Sequence, residues 1–499
     1  MPATHPSTRQ RLLRRSGPLS DSYPAAVALV LLALTPYLIL TTALTPLQDA
    51  LGHDLALSPR ALQVTAGMSN AAYAFGAVLG VQLTARLPVR RVLLVTAATF
   101  VVASVLAAWA PTSGLWIAGR VAQGLTTGMM LIAAVPPLVI GWPVQKMPIT
   151  GAVMNMGIFG AVALGPVIGG VVAGQQAWHG LFWVVAGIGA LAVLFAVLTY
   201  EDQEPQDADA PVDLVAMVLA GGGCAAAFLG VSEVVDNQLM SSEVLIPGSV
   251  GVVLLLALLA YEYRHPNPLI PVERLLSTLP VAGIAVAMVG GAASVAIVAL
   301  VEAALQQAGS PTHTAMLFWP EFGGAVVAAV IFGALFRTKW TPLVAFSGLV
   351  LLAAGAAVLT GVAGGDDALV LAGSAAVGLG VGASVSPALF LAGFSLPAPQ
   401  LPRIFAMVEL LRGVAAFLVA PLLLHLAQTT GGGQAAGIRT TMWVLFGLVC
   451  GGALLAAAIY LAGGQRLERP QLERWLGGEG SAKESHPLGA ALVGRDGAG

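Results

Sequence analysis

Charged residues are scarce in this sequence of 499 residues, since lysine, arginine, aspartate and glutamate together make up only 9% of it. Soluble domains average roughly 25%. Hydrophobic residues account for 57%, and the mean hydropathy is +0.87. Such a chain cannot cover a folded core with polar surface, which excludes a soluble enzyme, a nucleic-acid-binding protein and a disordered scaffold. The composition indicates a polytopic protein embedded in a lipid bilayer.

Cysteine is scarce as well. Cys224 and Cys450 both lie in apolar stretches, so neither a disulfide framework nor a metal site is indicated, and we expect no cofactor. The alternating pattern of an outer-membrane barrel is missing, and the apolar runs exceed about 18 residues. The net charge of −2 implies no nucleic-acid partner. We therefore predict an all-α polytopic membrane protein.

Charges and clusters of proline, glycine and aspartate divide the sequence into 14 apolar segments. Each is long enough to cross a hydrocarbon core of about 30 Å at about 1.5 Å per residue. We number them spans 1 to 14, at residues 25–46, 61–83, 92–110, 114–138, 150–172, 180–200, 212–233, 246–263, 279–303, 314–336, 341–362, 367–395, 404–427 and 440–464. The first is too long for the apolar part of a signal peptide, so we expect it to stay uncleaved.

The basic residues indicate how the spans are oriented. With a cytoplasmic N-terminus, 18 of the 22 lysines and arginines lie in cytoplasmic segments, and only Arg60 and Arg439 lie in outside loops. This asymmetry follows the positive-inside rule, and one miscounted span would destroy it. We therefore expect both termini in the cytoplasm and a multi-pass location in the cytoplasmic membrane of a bacterium.

Two stretches of sequence repeat at an offset of 254 residues. Residues 118–128 read AGRVAQGLTTG and residues 372–382 read AGSAAVGLGVG, and the same offset aligns Pro148 with Pro402. The offset relates span 4 to span 12 and span 5 to span 13. It implies two parallel six-span halves, an architecture of secondary transporters, although two helices rich in glycine and alanine can also align by chance.

The repeat divides the chain into five predicted parts. They are a cytoplasmic N-terminal segment (1–24), an N-terminal six-helix bundle (25–200), an acidic loop with two inserted transmembrane helices (201–277), a C-terminal six-helix bundle (278–464) and a cytoplasmic tail (465–499). Because the tail is rich in glycine and charge, we expect it to be disordered.

Span 5 carries a glycine motif of the form GxxxxGPxxGG. Its residues are Gly160, Gly165, Pro166, Gly169 and Gly170. Gly165 and Gly169 are four residues apart, so they share a helix face and allow close packing against another span. Pro166 removes a backbone donor and bends the helix. The alternative is that these are ordinary packing glycines.

Span 4 carries Arg120, Gln123 and Gly124 in an RxxQG pattern. A charged side chain inside a membrane costs roughly 2.5–3.5 kcal/mol even on insertion scales. Arg120 therefore needs a partner or a wet cavity. It either takes part in the function of the protein or forms a fixed contact with a carboxylate or a carbonyl group.

These two motifs, together with the sequence YEYRHPNPLIP at residues 261–271, resemble the 14-span drug:proton antiporters of the major facilitator superfamily. The resemblance covers nearly the whole chain. It implies the major facilitator fold, built from two six-helix bundles and two inserted helices, in a monomer. It also implies that the span 5 motif is associated with export, that Arg120 takes part in proton coupling, and that the partners are a small-molecule substrate and protons.

The sequence departs from that family in three places. The loop between spans 2 and 3 keeps its basic end, Arg90 and Arg91, but Thr84 or Ala85 replaces the aspartate that normally helps to latch the two halves. In span 1, Pro36 stands at the position of the usual acid. Span 7 and its neighbours offer no acid at mid-depth. The usual latch and the usual proton carrier are therefore both missing.

Few carboxylates remain that could carry a proton through the membrane. The candidates are Glu321 in span 10, Glu409 in span 13 and, with less support, Glu302 in span 9. Glu409 and Arg412 are three residues apart on one helix face and can pair, and the repeat aligns Glu409 with Asn155. Alternatively, the pair is static and the other two carboxylates face an outer vestibule.

The substrate site is expected near the middle of the membrane, between the halves. Methionine and aromatic side chains adapt to varied apolar shapes. The candidates are Met129, Met130, Met154, Asn155, Phe318 and Trp319. At helical spacing such residues more often face lipid or neighbouring helices. The lack of a dense charged cluster favours lipophilic or weakly polar substrates.

Export of small lipophilic molecules in exchange for protons, by alternating access, is the function that these features favour. The alternatives within transport are an uncoupled facilitator and an exporter of one specific metabolite. A membrane-embedded enzyme would need a catalytic cluster at one membrane face, but the seven histidines are scattered, and the sequence has no phosphate-binding loop for ATP. A regulatory relic of a transporter is the remaining alternative.

Overall fold

A computed structural model describes residues 17–200, 205, 211–305 and 310–488 of the chain. Within these ranges, 14 helices are long and apolar enough to cross a membrane. They agree with the predicted spans to within six residues and keep the same numbers: Tyr23–Ala43, Pro59–Arg86, Val89–Trp109, Ser113–Ile140, Val144–Gly174, Trp178–Thr199, Leu214–Val235, Ser242–Arg264, Thr278–Leu305, Pro311–Leu335, Thr341–Gly364, Asp367–Gly393, Ala398–Thr429 and Gln434–Ala462. The span count and the all-α class are confirmed.

The predicted cytoplasmic N-terminal segment lies mostly outside the described residues, and so does the acidic loop after span 6. Between the spans the structure describes short helices at Gln48–Leu55 and Val272–Leu275. The described residues contain no β-sheet, only an isolated bridge between Ser277 and Pro487.

Several spans begin at a side chain that accepts a backbone hydrogen bond. The hydroxyl of Ser58 accepts from the amide of Ala61 at 3.1 Å, and that of Ser310 accepts from the amide of His313 at 3.3 Å. A proline follows each serine at the first helical position, where its missing donor costs nothing. Asp213 caps span 7 through its carboxylate. These local signals fix where spans 2, 7 and 10 begin.

The packing of the helices repeats between the two halves of the chain. In the first half, span 2 packs against span 4, span 3 against spans 4 and 6, and span 1 against spans 5 and 6. The equivalent pairs eight spans later pack in the same way. The halves meet mainly where span 2 contacts span 13 and span 5 contacts span 10. Spans 7 and 8 pack against each other, and span 7 lies beside spans 2 and 13.

Spans 5 and 10, which meet between the halves, are not continuous α-helices. In span 5 a π-helical segment, Met156–Gly160, separates Met147–Asn155 from Ala161–Gly174. Span 10 consists of two helices, Pro311–Leu317 and Trp319–Leu335. Irregular turns of this kind are frequent at functional sites. Both interruptions lie close to the cavity described below.

The predicted disorder of the tail is wrong for residues 465–488. A short helix, Leu472–Leu476, follows span 14, and Trp475 is fully buried. The indole Nε1 of Trp475 donates to the carbonyl of Leu396 at 2.8 Å. Its ring meets Phe394 edge on, with the ring centroids 5.3 Å apart. A buried tryptophan with a satisfied N–H anchors this segment, although its overall composition favours disorder.

Candidate transport cavity and its charged residues

A small closed cavity lies between the two halves. Spans 1, 2 and 5 line it from the first half, and spans 9, 10, 12 and 13 line it from the second. Its polar lining residues are Tyr37, Thr41, Thr42, Asn70, Tyr73, Ser294, Glu321 and Arg412. The cavity volume is about 30 Å³, whereas small-molecule sites measure roughly 300–1,000 Å³. The halves are therefore closed at this depth, and the central cavity admits a drug-sized molecule only after they separate.

Glu409 and Arg412 form a buried ion pair at the edge of this cavity. Arg412 Nε donates to Glu409 Oε1 at 3.3 Å, and Arg412 Nη2 pairs with Glu409 Oε2. The hydroxyl of Tyr73, on span 2, donates to the same Oε2 at 3.1 Å. The guanidinium of Arg412 lies over the ring of Phe159, 5.6 Å from its centroid. The carboxylate and the guanidinium are thus held by groups from both halves.

Asn155 also contacts the other half. Its Nδ2 donates to the carbonyl of Gly382 in span 12 at 2.7 Å. The repeat aligns Asn155 with Glu409, so two equivalent positions, one in each half, both make polar contacts across the interface. The polar residues that the repeat relates therefore connect the halves.

Arg120 is fully enclosed but has a different kind of partner. It is 2% exposed, and its Nη1 donates to Gln123 Oε1 at 2.7 Å. Gln123 Nε2 in turn donates to Ser104 Oγ at 2.8 Å. The guanidinium also lies 5.4 Å from the ring centroid of Tyr37 and 6.0 Å from that of Phe182. Among the described residues, no carboxylate forms an ion pair with it.

The packing around Gly124 explains why the RxxQG pattern ends in glycine. A methyl group there would overlap the backbone of Ser69 in span 2. The close approach lets the hydroxyl of Ser69 donate to the carbonyl of Arg120 at 2.9 Å. Spans 2 and 4 are therefore in backbone contact at the arginine.

Glu321 and Glu302 are both buried carboxylates. Glu321 is 2% exposed and Glu302 is 4% exposed, so neither faces an open vestibule in this conformation. Glu321 lines the cavity at the start of the helix Trp319–Leu335, where the helix dipole favours a negative charge. Glu302 is close enough to Glu321 to interact electrostatically. Burying two neighbouring carboxylates in a membrane is costly, so stability alone does not account for them.

The glycines of the span 5 motif face two different neighbours. Gly165 and Gly169 lie against span 1, where a methyl group on either would overlap its backbone. Gly170 lies against the first helix of span 10, and Gly160 faces the second. One face of the motif therefore packs against span 1 of the first half, and another face packs against span 10 of the second half.

Pro166 leaves the carbonyl of Val162 without its usual intrahelical donor. The hydroxyl of Thr42, on span 1, donates to that carbonyl at 2.7 Å. Membrane helices tolerate proline where a neighbouring side chain supplies the missing donor in this way. Spans 1 and 5 are thus joined by a hydrogen bond as well as by the glycine contacts.

The two basic residues that end the motif of the loop between spans 2 and 3 lie in the first turn of span 3. Arg90 reaches the carbonyl of Val197 at the end of span 6, at 3.4 Å, and Arg91 is exposed. Thr84, one of the two residues that can stand for the latch aspartate of the family, donates to the carbonyl of Gly80 in its own helix at 2.8 Å. The hydroxyl of Thr84 therefore bonds within span 2.

A larger cavity opens beside this loop. Its volume is about 450 Å³, within the range of small-molecule sites. Thr84, Ala85 and Trp142 line it from the first half, and Pro402 and Arg403 line it from the second. It lies at the end of the molecule where span 1 begins.

The predicted substrate-cavity residues do not line the closed cavity. Met129, Met130, Met154 and Phe318 are buried in the packing of helices. Trp319 is 46% exposed, so it faces the surroundings of the protein in this conformation, and its place in a substrate site stays a prediction. The periodicity of a span does not say which face points inward when several faces are apolar.

Sequence reasoning missed the tyrosines and threonines of the site. Tyr37, Tyr73 and Thr42 belong to no motif and carry no charge. Tyrosine is rare in this chain, with seven residues, and a buried hydroxyl usually finds a hydrogen-bond partner. A tyrosine in the middle of an apolar span was the sequence signal that could have indicated these residues of the site.

Comparison with known proteins identifies the family. The model of the Major Facilitator Superfamily matches residues 28–420. The uncharacterized MFS-type transporter YubD of Bacillus subtilis is 26% identical over 312 residues, which cover 62% of this chain and 61% of that protein. A multidrug resistance protein B homolog of Mycobacterium tuberculosis is 30% identical over 333 residues, which cover 64% of this chain and 60% of the relative.

The matched regions span about three fifths of the length of these two relatives. A solved peptide transporter, described as a POT, superposes with a TM-score of 0.63 at 15% identity, covering 90% of this chain and 96% of its own. At that identity the likeness shows a shared fold. With 14 apolar helices among its described residues and a family match over most of its length, the chain belongs to the Major Facilitator Superfamily.

Proposed function

We propose that this protein exports small lipophilic or drug-like molecules across the cytoplasmic membrane in exchange for protons, by alternating access. The observation that carries the proposal is the closed cavity between the halves, where apolar side chains surround Glu321 and Arg412. Secondary transporters work by exposing a site of this kind to each side of the membrane in turn. The naming of the relative in Mycobacterium tuberculosis as a multidrug resistance protein supports this substrate class.

In this proposal Glu409 and Glu321 are the proton-binding groups. Protonation of Glu409 removes the charge that holds Arg412 and Tyr73. Glu321 lies beside Glu302 and lines the central cavity, so it lies on the proposed path of the substrate. Arg412 supplies the positive charge that pairs with Glu409 when the proton has left. Each chain holds a whole cavity, so a monomer suffices.

The orientation is part of the proposal. The split of 18 basic residues to 2 supports a cytoplasmic location for both termini. The cavity of about 450 Å³ beside the loop between spans 2 and 3 then lies on the cytoplasmic side. It is where a substrate of the exporter would enter.

The test is flux in proteoliposomes with an imposed pH gradient and a panel of lipophilic cations. We expect the gradient to stimulate efflux and the substrate to drive proton flux. Glu321→Gln and Glu409→Gln should each lower coupled flux at least tenfold. Glu243→Gln, at an exposed carboxylate of span 8, is the matched control and should keep it. If these two variants and Glu302→Gln all keep full coupled flux, the proposed proton carriers are wrong.

An uncoupled facilitator is the second candidate. Pro36 is buried in span 1 at the position of the usual acid, so one familiar proton site is missing from the chain. In that case flux would follow the substrate gradient alone. It would be the same with and without a pH gradient, and the three Glu→Gln variants would keep it.

A further inference from the structure

We propose that Tyr73 is the positioning residue that links the protonation of Glu409 to the separation of the two halves. The inference rests on the proposed function, since it assigns Glu409 a changing charge. In this view Tyr73 carries no proton itself. Its hydrogen bond couples the charge of a carboxylate in one half to the position of a helix in the other.

The hydrogen bond in question crosses the main interface. Tyr73 lies on span 2 and Glu409 on span 13, and these two spans form one of the principal contacts between the halves. Both side chains are buried, at 2% and 0% exposure, so water does not compete for the bond of 3.1 Å. A bond to an ionised carboxylate is roughly twice as strong as one between neutral groups. Its strength therefore depends on the charge of Glu409.

The ring of Tyr73 is held in position from its own half. It stacks on Tyr37, with the centroids 5.7 Å apart and the planes at 18°. The hydroxyl of Tyr37 lies 3.0 Å from Ser69 Oγ and donates to Asn70 Oδ1 at 3.1 Å. Because Ser69 and Asn70 belong to span 2, the stack is rigid relative to that span. The hydroxyl of Tyr73 can therefore follow Glu409 only if span 2 moves with it.

The groups around Glu409 define what a proton would change. Arg412 faces it from its own helix, and Tyr73 faces it from span 2, with Tyr37 behind. Glu321 lies across the cavity that Arg412 also lines. A proton on Glu409 removes the negative charge that accepts two hydrogen bonds from Arg412 and one from Tyr73. The Tyr73 bond then becomes a bond between neutral groups, and it is the one of the three that joins the halves. Protonation thus weakens the closed conformation at this point.

The test compares Tyr73→Phe with the wild-type chain. Phenylalanine keeps the ring and its stack but removes the hydroxyl that crosses the interface. Spin labels on one pair of exposed loop positions, Thr112 and Gly431, report one end of the molecule. Labels at Gln145 and Lys339 report the other end. Distances are measured by electron paramagnetic resonance in purified full-length protein whose two native cysteines have been replaced.

For the wild-type chain we expect the closed population to fall as the pH is lowered. Tyr73→Phe should reduce the closed population at neutral pH at least threefold and flatten its pH response. Tyr23→Phe is the matched control, because its hydroxyl contacts Thr150 at 3.0 Å within the first half. It should behave like the wild-type chain. A wild-type closed population and pH response in Tyr73→Phe would overturn the inference.

A second variant separates the inference from a general loss of packing. Glu409→Gln should mimic Tyr73→Phe, and the double variant should show little further change, because the first substitution weakens and the second removes the same bond across the interface. Additive effects would contradict the proposal. The distances are measured without substrate or gradient, so they test the link itself. A failure of the proposed function would show instead as coupled flux that survives Glu409→Gln.

Discussion

Several polar residues inside the spans bond to a neighbouring span, whereas many serine and threonine hydroxyls bond to a carbonyl of their own helix. Thr42 supplies the donor that Pro166 removes from span 5, and Ser104 accepts from Gln123 beside Arg120. Without water in the bilayer core, each such group would otherwise be unsatisfied. A substitution at one of these positions should therefore act through its partner on another helix.

Thr42→Val tests this at the proline of the span 5 glycine motif. Valine keeps the shape of the side chain but leaves the carbonyl of Val162 without a donor, which costs roughly 1–3 kcal/mol. We expect a lower midpoint of thermal unfolding in detergent. Thr35→Val is the control, because the hydroxyl of Thr35 bonds to the carbonyl of Leu31 in its own helix, at 2.8 Å. Equal shifts in the two variants would contradict the argument.

At the scale of elements, the helix Leu472–Leu476 joins the end of span 14 to the rest of the second half. The backbone of Lys483 donates to the carbonyl of Phe394 at 3.0 Å, and that of Leu488 donates to the carbonyl of Leu276 at 3.1 Å. The helix also packs against the segment Val144–Lys146 of the first half. The tail thus touches both halves at one end of the molecule.

Trp475→Ala should release this tail. Removal of a fully buried tryptophan from a packed site costs roughly 3–5 kcal/mol, which exceeds what a few hydrogen bonds supply. We expect hydrogen exchange in residues 465–488 to become at least tenfold faster while the spans keep their protection. Trp443→Ala, at a tryptophan that is 52% exposed on span 14, is the control. Unchanged exchange in the tail of the Trp475 variant would show that the anchor lies elsewhere.

Lys483 makes the docking of the tail depend on pH. Its Nζ is buried without a hydrogen-bond partner among the described groups, and burial lowers the pKa of this lysine. The docked tail therefore binds the proton less tightly than the released tail. Docking is weakest below the docked pKa and strengthens as the pH rises towards the pKa of a free lysine, about 10.4.

Lys483→Met should remove this cost. We expect slower exchange of the tail at pH 7 than in the wild-type chain, after correction for the intrinsic exchange rate. The difference should shrink as the pH is raised. Lys339→Met, at an exposed lysine, is the control. Faster exchange in the Lys483 variant would mean that the charge itself stabilises the docked tail.

At the scale of the whole molecule, the closed conformation depends on contacts between the halves at several depths. Tyr73 and Asn155 bond across the interface beside the cavity, and Gly170 allows spans 5 and 10 to touch at one end. Alternating access requires these contacts to form and break in sets. Adding bulk at one end should therefore bias the molecule towards opening at that end.

Gly170→Ala should open the end at which spans 5 and 10 touch. Its added methyl group would lie 2.6 Å from Ala315 Cβ and 2.6 Å from the carbonyl oxygen of Pro311. We expect longer distances between labels at Thr112 and Gly431. Gly187→Ala, where no atom lies within 4 Å of the added group, should leave the distances unchanged. Unchanged distances in both variants would mean that the helices adjust locally.

Part of the candidate site could be predicted because its partners are close in sequence. Glu409 with Arg412 and Arg120 with Gln123 are three residues apart, so helical geometry alone brings each pair together. The bond between Tyr73 and Glu409 joins residues 336 positions apart. Nothing along the sequence relates those two positions, since they meet only when spans 2 and 13 pack.

The sequence by itself determined that this protein has 14 apolar spans, where each of them lies and that two of them carry the motifs of its family. These are local properties, because hydropathy and periodicity depend on runs of about 20 residues. Only the tertiary structure decided which side chains face the cavity, that Thr42 compensates for Pro166, and that Trp475 docks the tail. The rotation and packing of each helix depend on all its neighbours at once, and no single stretch of sequence contains them.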